Sequence, residues 1–210
     1  MIYLIITTCI QNRYGIIDKE KRKNRYLYSI TETLKYVPSC ITPIIVENNG
    51  TRATYLDNFI HNSKPVPVIY TTNNEYVFDN KGVNELLDIK EVISTFGIHT
   101  NDMIIKLTGR YCATSSLFFE EVIANQHRYD AFIKFYNVHT STFDPDDTVL
   151  GCYALRCIYV HLWSHVSLDM YTSAEIGFAR YSRCMIARIK EIEILGIECS
   201  FADTDTVKHI

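Results

Sequence analysis

Residues 2–10, IYLIITTCI, form an unbroken apolar run rich in β-branched side chains. A strand half-exposed to water alternates polar and apolar residues. A run without alternation must be covered on both faces, as in the centre of a parallel sheet. Comparable runs return at PIIVENNG, PVPVIYTTNN, MIIKLTGRY and DAFIKFYNV. Segments with helical spacing separate most of them. In DKEKRKNRYLYSITETLKYV, the residues Tyr26, Ile30, Leu34 and Val37 make one stripe that must end before Pro38. VNELLDIKEVISTF repeats the pattern at Val83, Leu86, Ile89, Val92 and Ile93, and SLFFEEVIANQ and TRATYLDNFI also read as helices. Strand–helix–strand repetition predicts an α/β fold: one domain with a central, mostly parallel mixed sheet flanked by helices.

The last third is less regular. TVLGCYALRCIYVHLW predicts a strand and then the start of a helix. SAEIGFARYSRCMIARIKEI predicts a long helix capped by Ser173, with Ile176, Ala179, Met185, Ile186 and Ile189 on one face. ILGIECSFADTDTVKHI closes the sequence as a strand and a polar tail.

In such sheets ligands bind at the carboxyl ends of the strands. Those ends read Thr7-Thr8, Glu47-Asn48-Asn49-Gly50, Thr71-Thr72-Asn73-Asn74 and Thr108-Gly109-Arg110-Tyr111. All are polar, with glycine where backbone must turn or approach closely. The net charge of −3 gives no basic face for a nucleic acid polymer but leaves room for a local basic pocket. The seven cysteines contain no CxxC spacing and sit mostly in apolar runs, among them Cys9 and Cys184. They read as small hydrophobes of a reducing compartment, which places the protein in the cytoplasm. No run reaches the ~20 apolar residues of a membrane span. A dinucleotide fingerprint, a Walker A loop, a GxSxG elbow and HExxH are all missing, which removes the enzyme classes that carry them.

The order IYLIITTCI, PIIVENNG, VIYTTNN, NKGVNELLDIKEV, DMIIKLTGRY resembles the nucleotide-binding half of GT-A-type glycosyltransferases, and the chain is similar in particular to small glycosyltransferase domains of large DNA viruses such as chloroviruses. The resemblance implies a nucleotide-binding half over 1–111 and an acceptor-side half over 112–210. It puts Thr7, Thr8 and Arg13 beside the nucleoside, with Glu47 accepting from base or ribose and Asn48 and Asn49 shaping the turn. Asn73 would belong to the same rim. Lys81 and Gly82 would lie over the donor, and Lys106, Thr108, Gly109, Arg110 and Tyr111 beside its diphosphate. The reading requires Glu47, Lys81 and Arg110 to meet at one cavity. The plain alternative for Glu47–Gly50 is a polar turn.

Most GT-A enzymes end the fourth strand with Asp-x-Asp, which holds a divalent cation against the diphosphate. Here Leu107-Thr108-Gly109-Arg110-Tyr111 stands there. Two arrangements follow. Arg110, with Lys106, neutralises the diphosphate through bidentate donors. Alternatively Mn2+ or Mg2+ is held elsewhere, by Asp79, Asp203, Asp205 or His209. A surface salt bridge is the ordinary use of an arginine such as Arg110.

Inverting transfer needs a carboxylate to take the acceptor's proton. Glu175, after Ser173, is the candidate, with Asp146 and Asp147 behind it; a glutamate there also suits a helix N-terminus without any catalysis. Trp163, His161 and His165 suggest an acceptor groove, or with i, i+4 histidines a metal pair, although core or half-buried rings and partly exposed polar histidines are the more ordinary account. Asp102 reads as a turn residue. The resemblance thus implies transfer from a nucleoside-diphosphate sugar, with a UDP-sugar as leading donor, to a hydroxyl of a glycan or glycoprotein. A sugar nucleotidyltransferase, or a binding module without catalysis, is the alternative; the former calls for a Gly-rich basic loop after the first strand, where TTCIQNRYG stands.

Overall fold

In the computed structural model, which describes residues 1–11, 18–50, 52, 54–171, 173–200 and 206–210, every residue of β1 (Ile2–Thr8) is buried. The first half of the chain continues with α1 (Lys19–Tyr36), β2 (Ile41–Glu47), a hairpin of β3 (Ile60–His61) and β4 (Lys64–Pro65), β5 (Val68–Tyr70), α2 (Gly82–Phe96) and β6 (Met103–Thr108). The second half holds β7 (Cys112–Ala113), α3 (Leu117–Asn125), β8 (Ala131–Ile133), β9 (Cys152–Arg156), α4 (Cys157–Leu162), α5 (His165–Asp169) and α6 (Ala174–Cys184). It closes with β10 (Ile189–Glu191), β11 (Ile197–Ser200) and β12 (Val207–His209).

Successive residues of β1 point to opposite faces. Ile2, Leu4 and Ile6 enter one core with Tyr26 and Ile30 of α1. Tyr3 and Ile5 enter a second core with Val83, Leu86 and Ile89 of α2. This is the double coverage that an unbroken apolar run demands. The strand order of the main sheet is β10-β8-β9-β6-β1-β2-β5. Only β9 runs antiparallel to its neighbours, β6 and β8; the other pairs are parallel. From β1 the chain steps outward to β2 and β5, then returns to β6 on the other side of β1. That reversal opens a crevice at the carboxyl ends of β1 and β6. A small sheet, β12-β11-β7, flanks α1 and is tied to it by the Arg25–Glu198 ion pair at 2.7 Å.

The capped ends of α1 follow the sequence: Asp18 accepts from the amides of Glu20 and Lys21, and the helix stops at Val37, before Pro38. Elsewhere the structure departs from expectation. The described residues of TRATYLDNFI form no α-helix; a single tight turn at Thr54–Leu56 precedes the β3–β4 hairpin, whose Asn62 and Ser63 take positive φ. The long helix expected from Ser173 ends at Cys184, where Met185 becomes extended. Ile189 then joins β8 in parallel, because the Arg188 carbonyl accepts from the amides of Asp130 and Ala131 and sheet pairing wins over helical spacing. Ile186 is 97% exposed rather than on a buried face, and Cys184 is exposed too. Cys112, Cys152, Cys157 and Cys199 are buried. No described helix is long and apolar enough to cross a membrane.

Candidate functional site: a polar crevice at the strand tips

The reversal at β1 produces a cavity of about 420 Å³. Its floor is made by the ends of adjacent strands: Asn48 just after β2, Thr7 and Thr8 of β1, Lys106 and Thr108 of β6, and Leu150-Gly151 leading into β9. Arg22 of α1, Lys81 with the first turn of α2, Arg110 of the β6–β7 turn, and Glu175 at the start of α6 form the walls.

Close backbone approach is built into this place. The Gly109 amide donates to the Thr7 carbonyl at 2.8 Å, and a Cβ on Gly109 would stand 2.7 Å from the Thr8 methyl. A Cβ on Gly82 would collide with that of Ala174, so glycine lets α2 and α6 meet at the rim. The Thr8 hydroxyl donates to the Val46 carbonyl at 2.9 Å. The Thr7 hydroxyl and the Asn48 amide oxygen, both buried, have no partner among the described residues. Asn48 is held from behind by its nitrogen, which donates to Asp88 at 3.0 Å.

Positive charge converges here. Arg22 donates to the Cys9 carbonyl at 2.9 Å and to the Tyr26 hydroxyl at 2.8 Å, which fixes its guanidinium against the cavity. Arg110 donates from Nε to the Ser200 carbonyl at 3.1 Å and stands over the Tyr111 ring. Its backbone carbonyl is anchored by Arg25 and Ser29, and its two terminal nitrogens meet no protein acceptor among the described residues. Arg110 is thus not spent on a surface salt bridge among these residues. Burial, then the nearby Arg110 and Arg22, holds Lys81 below the usual lysine range. Such mutual repulsion is relieved when an anion enters. Burial and Glu47 push the Cys9 thiol up to about 12, so it stays protonated at neutral pH.

Three carboxylates also line the cavity. Asp79 lies exposed at the rim. Glu85 pairs with the buried ammonium of Lys106 at 2.6 Å. Glu175 accepts from the Ser173 hydroxyl at 2.8 Å, while that hydroxyl also accepts from the Ile176 amide as a helix cap. Capping and a place in the cavity wall therefore coexist at this residue.

Of the residues singled out from sequence, Thr7, Thr8, Asn48, Lys81, Gly82, Lys106, Thr108, Arg110, Tyr111 and Glu175 share this cavity. Glu47 does not line it, so the expected meeting of Glu47, Lys81 and Arg110 is corrected to the two cations, which do share the cavity. Its fully buried carboxylate accepts from the Ile10 amide at 2.9 Å and the Tyr55 hydroxyl at 3.2 Å, which fixes the chain leaving β1 instead of offering an acceptor to a ribose. Asn73 is likewise inward, donating to Asp88 and Glu91, and Asn49 and Gly109 lie beside the lining. His209 is exposed on β12, away from the lining. Arg13, Asp203 and Asp205 lie outside the described residues. Asp146 pairs with Arg183, and Asp147 accepts from the Thr148 amide, so neither reaches the cavity. Asp102 accepts from the His99 amide in the turn before β6. Trp163 is core, stacked on Tyr181 at 5.3 Å, which excludes it from an acceptor groove. The helix is interrupted at Trp163-Ser164, between His161 of α4 and His165 of α5, so these exposed histidines do not share a helix.

Two charged lining residues escaped the sequence reading. Arg22 sits in a charged run that looks solvated, yet it is four residues before Tyr26 and eight before Ile30, on the same inward stripe. Glu85 stands one residue before the apolar Leu86, and nothing in the sequence shows that Lys106 will meet it.

The tip of β6 does not suit a divalent cation. Its groups are an ammonium, a guanidinium and a single hydroxyl that already accepts from that ammonium, whereas Mg2+ and Mn2+ need converging oxygen acceptors. Among the described residues no three His, Cys, Asp or Glu side chains come together as a metal site.

No protein-family model matches the chain, and no curated protein matches its sequence. Solved structures do match. A Desulfovibrio desulfuricans G20 protein described as a nucleotide-diphospho-sugar transferase superposes with a TM-score of 0.57 at 7% identity, over 91% of this chain and 79% of that one. A Bacillus anthracis protein described as a glucose-1-phosphate thymidylyltransferase gives 0.56 at 13% identity, over 92% and 87%. The galactosyltransferase LgtC, solved with donor and acceptor sugar analogues, gives 0.50 at 8% identity, over 88% and 66%. The chain has the nucleotide-diphospho-sugar transferase fold. At these identities the likeness carries the architecture alone. The neighbours include both nucleotidyl- and glycosyltransferases.

Proposed function

We propose that the protein transfers a sugar from a nucleoside-diphosphate sugar, with a UDP-sugar as leading donor, to a hydroxyl of a glycan or glycoprotein. The observation that supports this reading is the single cavity in which amide and hydroxyl groups, a cluster of cations and a carboxylate succeed one another across neighbouring strand tips. Asn48, Thr7 and Thr8 suit a nucleoside, since amides and hydroxyls match base edges and ribose. Arg110, Lys81 and Arg22 suit a diphosphate. Residues 1–111 then supply the donor half, and 112–210 the acceptor side.

In the reaction the acceptor oxygen attacks the anomeric carbon of the donor while the bond from that carbon to the phosphate oxygen breaks. The nucleoside diphosphate leaves with the bonding electrons, and the acceptor's proton passes to Glu175. Arg110 and Lys81 stabilise the negative charge that grows on the leaving phosphate, in a place where little reorganisation is needed. Inversion at the anomeric carbon follows if Glu175 acts from the face opposite the leaving group. The diphosphate is gripped by these side chains rather than by a metal at the tip of β6.

Against nucleotidyl transfer stands the sequence after β1, which has no Gly-rich basic loop. The relation to viral enzymes and a cytoplasmic location rest on the sequence alone.

Calorimetry with UDP, GDP and CDP, each with and without Mn2+ or Mg2+, tests donor class and metal dependence together. Micromolar binding of one nucleotide without metal is expected. Strict metal dependence would overturn the arginine grip and point to Asp79, Asp203 or Asp205. Glu175→Gln should leave donor affinity unchanged and lower turnover by at least ~100-fold, the low end of general-base contributions. Unchanged turnover would remove Glu175 from the chemistry.

A further inference from the structure

One carboxylate in the cavity has no task in the scheme above. Glu85 lines the cavity, its side chain is about a third exposed there, and Lys106 is the one partner of its carboxylate among the described residues. We propose that Glu85 is a specificity-determining residue that reads the hydroxyls of the donor's sugar ring. This rests on the nucleotide-sugar reading and assigns a further role within the same cavity.

Three observations place it. The first is lateral position. Lys106 lies on β6 and also donates to the Leu150 carbonyl at 3.0 Å, just ahead of β9. It therefore holds Glu85 over the β6–β9 side, whereas Asn48 and Thr7 occupy the β2–β1 side. A nucleoside at Asn48 extends its sugar toward Glu85 and Glu175.

The second is chemistry. Burial pushes the Glu85 carboxyl up, but Lys106, Arg110 and Lys81 outweigh it and hold the group below the ordinary carboxylate range. An ionised carboxylate only accepts hydrogen bonds and repels phosphate. What it can meet in a cavity for a nucleotide sugar is a neutral donor, and with the ribose and base donors placed at Asn48 and Thr7, the hydroxyls of the transferred sugar are the donors left. The third is fixation. Lys106 is buried and further tied to the Thr108 hydroxyl at 2.6 Å, so the carboxylate is set in place before any ligand arrives. Glu85 thus resembles a built acceptor more than a solvated helix-start residue.

The test compares a nucleotide with its own sugar conjugate. For wild type and Glu85→Gln, Kd is measured by calorimetry for UDP, UDP-glucose, UDP-galactose and UDP-N-acetylglucosamine. A second variant, Glu85→Asp, keeps the charge opposite Lys106 but withdraws the carboxylate from the ligand, in case the single variant folds poorly, and near-UV circular dichroism checks both. In each variant the affinity for the tightest UDP-sugar should fall by 10-fold or more while that for UDP changes less than twofold. A deoxy analogue of that sugar nucleotide, lacking the hydroxyl that is read, should bind wild type as weakly as the intact compound binds Glu85→Gln. Equal losses for UDP and UDP-sugar, or no loss of either, overturn the assignment and reduce Glu85 to a counter-ion for Lys106. If wild type binds none of the nucleotides or conjugates, the nucleotide-sugar reading itself fails, a result distinct from the other two.

Discussion

Asp88 is a residue of α2 that never touches the cavity yet organises it. Its two buried carboxylate oxygens accept from Thr71 at 2.6 Å, Asn73 at 2.8 Å and Asn48 at 3.0 Å, which ties the ends of β2 and β5 to one helix. Burial pushes its carboxyl up to about 7, although those donors pull it down. A carboxyl raised on folding stabilises the native state fully below its unfolded value, near 4, and that contribution is lost as pH rises through about 7. The wild type should therefore lose stability between pH 4 and 7 relative to Asp88→Asn, by an amount on the order of 4 kcal/mol. Denaturant melts of both proteins across that range check it; parallel curves would mean that Asp88 does not titrate there. Arg110 invites a simpler substitution. Arg110→Met should weaken binding of the preferred nucleoside diphosphate by on the order of 2 kcal/mol, roughly 30-fold, as expected for a charge-assisted hydrogen bond. Calorimetry against Arg110→Lys, which keeps the charge but not the fork, separates charge from geometry.

Elements were legible in proportion to how local their causes are. α1 and α2 carry complete apolar stripes and clear ends, and the sequence predicts both within a few residues. β10 was not legible, because what ends α6 at Cys184 is pairing with β8, some fifty residues earlier in the chain. The same distinction divides the site. Strand tips such as Thr7-Thr8 and Thr108–Tyr111 announce themselves by polarity after an apolar run. Glu47 has the same look, but Ile10 and Tyr55 capture it, a tertiary event that polarity does not encode. At α6 one short side chain serves two groups, since Ser173 caps Ile176 and donates to Glu175. Ser173→Ala should cost about 1 kcal/mol of stability in denaturant melts, as a lost cap does. It should also lower turnover while leaving nucleotide affinity unchanged, because the freed Glu175 samples more rotamers. Reduced nucleotide affinity would instead show that the start of α6 shapes the donor pocket.

At the scale of the molecule, the cavity draws its lining from β1, β6, α1, α2, α6 and the segment before β9, elements that belong to both cores. A ligand seated there bridges them, so it should stabilise the whole fold rather than one loop. With UDP at a hundred times its Kd, the unfolding free energy should rise by about 2.7 kcal/mol. A thermal shift that grows with ligand concentration checks this. No shift at saturating UDP, GDP and CDP alike would argue that the crevice does not hold nucleotides.

The reversed direction of β9 has a last consequence. Where β1, β2 and β6 arrive at the crevice, β9 departs from it, with Leu150 and Gly151 at its threshold. Its incoming chain, from Phe135 to Thr148, is a loop whose contacts there are single bridges rather than ladder pairing. Evolution can lengthen or rewrite such an approach without disturbing the register of the arriving strands. The strand tips that line the crevice thus keep their geometry whatever length this approach takes.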